Sequence, residues 1–177
     1  TPGLMLPKKA HDTSSDIYTY TKQQQLHLKV LKRDSTDANA WNQLGLTLPT
    51  GESICVNGEM FTEQQLYIEA LKCDRTNACA WKQLGITAAA GNERVRVDGG
   101  NFTKQQLLAE ALKHDPNDAL MWCSLATTVP FGASINVNGK YYTKHQLFAE
   151  SLAYDPNDAN AWNQLGITLP PGESILI

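Results

Sequence analysis

Four tryptophans stand at near-constant intervals in this chain: Trp41, Trp81, Trp122 and Trp162 are 40, 41 and 40 residues apart. Self-similarity at such a period marks a repeat array, in which one small unit buries its apolar side only by stacking on the next. The same register carries Leu26, Leu66, Leu107 and Leu147, then Leu31, Leu71, Leu112 and Leu152, then Asp34, Asp74, Asp115 and Asp155, and finally Gly45, Gly85, Ala126 and Gly166. Chance does not align five columns. The chain reads as a single repeat domain over 1–177, with a partial unit at 1–20 and units at about 21–61, 62–102, 103–142 and 143–177.

Each unit divides into segments with their own local signals. "FTKQQLLAEALKHD" opens with Thr103 followed three residues later by Gln106, a capping box in which hydroxyl and amide satisfy each other's backbone N–H groups. Thr21 and Gln24, Thr62 and Gln65, and Thr143 and Gln146 repeat it. Leu107, Ala111 and Leu112 then fall on one face of a helix. After a break at "DPND", Asp37, Asn77, Asp118 and Asp158 are placed to N-cap a second helix that carries the Trp and is stopped by Pro49, Pro130 or Pro170. The pattern predicts capping-box helices over 21–33, 62–73, 103–114 and 143–154, and Trp helices over 38–48, 78–88, 119–129 and 159–169. Between a Trp helix and the next capping box, Asn57-Gly58, Asp98-Gly99 and Asn138-Gly139 mark two-residue type I′ turns, so each unit is expected to hold a short β-hairpin. The extra residue of the 41-residue spacing falls within "GNERVRV".

The run "DPNDANAWNQLG", with six residues from Pro116 to Trp122 and from Pro156 to Trp162, together with "EALKHDP", resembles the tetratricopeptide repeat family. That family has a Trp and a Leu-Gly on its first helix and a closing Pro. The resemblance implies a mainly α fold, a right-handed α-α superhelix, here with a β-hairpin inserted in each repeat. The insert stretches the usual period of about 34 residues, and it replaces the tight helix-to-helix turn. "GLMLP" at Gly3 to Pro7 matches "GLTLP" at Gly45 to Pro49, while "GESILI" stops in a first hairpin strand. Both ends thus read as cuts through a unit of a longer array, and apolar cut ends predict head-to-tail self-association.

Catalytic and cofactor signals are missing from the sequence. There is no Gly-x-Ser-x-Gly, His-Glu-x-x-His or Gly-rich phosphate loop. Cys55, Cys73, Cys79 and Cys123 form no Cys-x-x-Cys pair and read as free thiols, which points to a reducing, cytoplasmic setting. His11, His27, His114 and His145 lack a spacing that would place two ligands on one helical face, and Glu69, Glu110 and Glu150 recur as a solvated stripe. No cofactor and no metal is expected, and the chain is read as a non-enzyme. With 15 Lys and Arg against 18 Asp and Glu, and a formal net charge of −3, the surface does not suit nucleic acid. No apolar run reaches the roughly 20 residues of a membrane helix.

Surface remains. The Trp residues read as packing wedges, and in the resembling family the first helices line a concave groove. The candidates there are Asn39, Asn42 and Leu46; Cys79, Lys82 and Ile86; Leu120, Cys123 and Thr127; and Asn160, Asn163 and Ile167. Lys82 is the one cation among them, which argues against a clamp for a carboxylate. The expected function is a protein–protein interaction scaffold that binds a peptide or protein segment in this groove. A structural spacer in a large assembly, and an accessory domain of an enzyme whose catalytic part lies outside the chain, are the alternatives.

Overall fold

The computed structural model describes residues 20–89 and 93–169. Helix α1 spans Lys22–Arg33 and α2 spans Ala38–Leu46; strands β1 (Ser53–Val56) and β2 (Glu59–Thr62) follow. The order then repeats: α3 (Glu63–Cys73), α4 (Ala78–Thr87), β3 (Arg94–Val97), β4 (Gly100–Thr103); α5 (Lys104–His114), α6 (Ala119–Thr128), β5 (Ser134–Val137), β6 (Lys140–Thr143); and α7 (Lys144–Tyr154), α8 (Ala159–Thr168). Among the described residues the chain is mainly helical, with three small antiparallel hairpins. All eight expected helices form, each ending within two residues of its expected bounds. The partial unit at 1–20 lies outside the described residues except for Tyr20, as does "GESILI", and so do 90–92 in the lengthened spacing.

The local chemistry that sets these boundaries is visible. Thr21 Oγ1 accepts from the Gln24 N–H at 3.2 Å while Gln24 Oε1 accepts from the Thr21 N–H at 2.9 Å; the same reciprocal pair opens α3 and α5, and at α7 Gln146 Oε1 accepts from the Thr143 N–H at 2.9 Å. In the turn before α2, the Asp34 carboxylate accepts from the hydroxyl and the backbone N–H of Thr36, which holds its pKa below the ordinary value; Thr76 does the same for Asp74. Asn57 and Gly58 have φ of 51° and 92°, the pair of positive values a type I′ turn needs, and Asp98-Gly99 and Asn138-Gly139 match them.

Packing runs between helices consecutive in the chain, above all within the pairs α2 with α3, α4 with α5 and α6 with α7 that flank each hairpin. A two-stranded hairpin is marginal alone. Here each is held by an aromatic residue against the preceding Trp: Phe61 on Trp41, Phe102 on Trp81 and Tyr142 on Trp122, with ring centroids 5.1–5.2 Å apart. Six residues later comes a fully buried knob, Tyr67, Leu108 or Phe148. A Cβ built on Gly45 would lie 2.5 Å from the Tyr67 ring, and one on Gly85 would lie 2.6 Å from Leu108, so glycine lets α2 close on α3 and α4 on α5.

Candidate functional site

The Trp helices carry the candidate surface, so its geometry follows from how their flanks are used. Trp41, Trp81 and Trp122 are buried, and each indole N–H donates to the carbonyl six residues earlier, Ser35, Arg75 or Pro116, at 2.7–2.8 Å. The polar edge of each wedge is thereby satisfied inside its own unit.

The column one residue beyond the Trp, namely Asn42, Lys82, Cys123 and Asn163, is divided by the structure. Asn42 is 2% exposed, and its Nδ2 donates to Cys79 Sγ at 3.2 Å on the next Trp helix. Lys82 Nζ lies 2.6 Å from Asp118 Oδ2, the carboxylate that N-caps α6. Cys123 is buried, and its thiol is pushed up in pKa by that burial first and by the Asp158 carboxylate, the cap of α8, second. Asn163 alone is exposed. Asn42 and Cys123 therefore belong to the seam between units and not to an open row, which corrects the groove assignment for these two: each fills the space in front of the following helix's N-terminus.

The other two columns stand open. Asn39, Leu120 and Asn160 are exposed, Cys79 is half-buried, and Leu46, Ile86, Thr127 and Ile167 are exposed. Between them in helical spacing lie Gln43, Gln83, Ser124 and Gln164, exposed or partly so, which complete an i, i+4, i+7 stripe on each helix. The i+4 spacing from Asn39 and the Gln shared by three units could have found this column. Beside it, Gln83, Ile86 and Thr87 of α4, Thr50 to Glu52 after α2 and Thr62 to Gln64 at the start of α3 enclose a hollow of about 640 Å³. A smaller pocket of about 340 Å³ at the unit seam is lined by Ala78, Ala111 and Met121 together with Cys79, Lys82, Asp115 and Asp118.

Many amides that the sequence offers for recognition serve the fold. The side chains of Gln24, Gln64 and Gln105 donate to the carbonyls of Thr47, Thr87 and Thr128 at 2.6–3.2 Å, closing the C-terminal end of the partner Trp helix. Lys104 donates to the Ile86 and Ala88 carbonyls and Lys144 to that of Val129. No described helix is long and apolar enough to cross a membrane.

Comparison with protein-family models, with curated proteins and with solved structures finds no match to this chain.

Proposed function

We propose that the chain is a non-enzymatic interaction scaffold that binds a peptide or protein segment along the open face of its Trp helices. The observation that carries this is the recurrence of exposed aliphatic side chains, Leu46, Ile86 and Ile167 at one repeat position and Leu120 at another, on helices whose other flanks are buried. A row of apolar side chains flanked by Asn39, Gln43, Gln83 and Gln164 supplies contact area from the first set and backbone hydrogen bonding from the second. A right-handed superhelical course, as in tetratricopeptide arrays, would make this face concave, and the consecutive helix packing is in keeping with it.

Lys82 is held by Asp118, so the face offers no free cation from that set and binding rests on neutral contacts. Peptides selected from a displayed library on the full chain test this. Leu46→Asp with Ile86→Asp should weaken the selected peptides by on the order of a hundredfold, leave the unfolding midpoint in place, and wild-type affinity should change little between low and moderate salt. Selected peptides that bind the double variant as well as the wild type, or that release steeply with salt, would place binding elsewhere.

A further inference from the structure

Position 63 departs from what the array does at the same place in its other units. The residue after the capping-box threonine is Lys22, Lys104 or Lys144 elsewhere, but Glu63 at the start of α3. Lys104 Nζ donates to the carbonyls of Ile86 and Ala88 at 3.1 and 2.9 Å, and Lys144 Nζ to that of Val129 at 3.3 Å, so each ammonium closes the C-terminal end of the Trp helix before it. A carboxylate has no proton to give and cannot make that bond. Glu63 takes a donor instead: the hydroxyl of the buried Tyr67 donates to its Oε1 at 3.1 Å, whereas Leu108 and Phe148, the matching knobs of the next units, have no hydroxyl. Among the described residues no side chain donates to the other Glu63 oxygen.

Glu63 also lines the hollow of about 640 Å³ beside the open face of the Trp helices. That lining holds two carboxylates, Glu52 and Glu63, and no cation, while Ile86 and the half-buried Gln83 and Thr87 form its α4 wall. Gln64 spends its amide N–H on the Thr87 carbonyl, so what it leaves for a ligand is its oxygen. Acceptors beside an aliphatic wall suit a long apolar stem with an ammonium at its tip. We propose, resting on the reading of this face as a peptide-binding surface, that the hollow receives a lysine side chain of the bound segment, with its ammonium on Glu63. Charge complementarity names the occupant, and the chain itself puts a lysine at this repeat position in the units that lack the carboxylate. The stripe along the Trp helices is neutral, so one charged contact at its side fixes the register of a segment lying on it. A single ion pair among neutral contacts adds only a shallow dependence on salt.

Peptides selected from a displayed library on the 177-residue chain test the assignment, and Leu46→Asp, outside the hollow, identifies those bound along the face. Face-bound peptides should share a lysine at one position. Replacing it by norleucine, which keeps the stem and drops the ammonium, should weaken binding to the wild type on the order of tenfold. On Glu63→Gln the lysine and norleucine peptides should bind nearly alike, which is the coupling a double-mutant cycle reads. That variant keeps an oxygen for the Tyr67 hydroxyl, so its unfolding midpoint should hold. Glu63→Lys writes in the residue of the other units and should reverse the preference, favouring norleucine; if it unfolds, Glu63→Gln still decides. Face-bound peptides with no common lysine, or a norleucine loss of equal size on wild type and Glu63→Gln, would overturn the lysine site and leave the peptide-binding face standing. Selected peptides indifferent to Leu46→Asp would remove the face, and the lysine site with it.

Discussion

Trp81 shows what one residue does for such an array. Its ring is fully buried, it meets Phe102 at 5.2 Å, and the Arg75 guanidinium lies 5.7 Å from its centroid while the Arg75 carbonyl takes its N–H. Helix, hairpin and turn converge on one side chain. Trp81→Ala should cost roughly 3 to 5 kcal/mol, the range for a buried aromatic truncated to Ala, and Trp162→Ala should cost clearly less because half of its surface is already in water. Denaturant unfolding reads both, and equal small losses would mean that the Trp column is not what holds the units together. The neighbouring position shows where sequence reasoning stops. Asn39, Asn42 and Leu46 share a helical face, but so do Asn39, Gln43 and Leu46, and which flank meets the next unit is set by the rotation of one helix against another. Nothing within a single helix's pattern encodes that rotation, so Asn42 passes for a surface amide until its contact with Cys79 is seen.

Among the elements, the helices and hairpins were legible because their signals are local. The Thr-x-x-Gln boxes, the Asp and Asn caps and the Asn-Gly or Asp-Gly turns act through neighbours a few residues away, and the structure realises them at the expected positions. The glycines of the Trp helices are different, because identical residues at identical positions answer to different surroundings. Gly45 faces the Tyr67 ring, which is buried and donates its hydroxyl to Glu63, so the ring cannot swing away. Overpacking of about 1 to 3 kcal/mol then outweighs a helix-propensity gain of about 1 kcal/mol, and Gly45→Ala should be destabilising. Gly166→Ala meets open space and keeps only the gain, so it should stabilise by up to about 1 kcal/mol. Thermal midpoints of the two variants should move in opposite directions. Shifts of the same sign would mean that the α8 face is covered like the others, or that the Tyr67 ring yields to the added methyl. Ala126 at the third position marks how finely this is balanced, since there the knob is Phe148.

At the scale of the whole molecule, stability is a chain of nearest-neighbour terms and not one global core. The apolar cluster runs without a break from Leu31 to Leu165, yet its packing joins helices next to one another in sequence. In such an array the inner helices gain interface energy from both sides and the outer ones from one. Opening free energies should therefore rise from the ends inward. Native-state hydrogen exchange at low protein concentration should find the amides of α4 and α5, which carry Trp81, Leu84, Leu107 and Leu108 at full burial, the most protected, and those of α1 and α8 the least. Uniform protection from α1 to α8 at low concentration would mean a single cooperative unit.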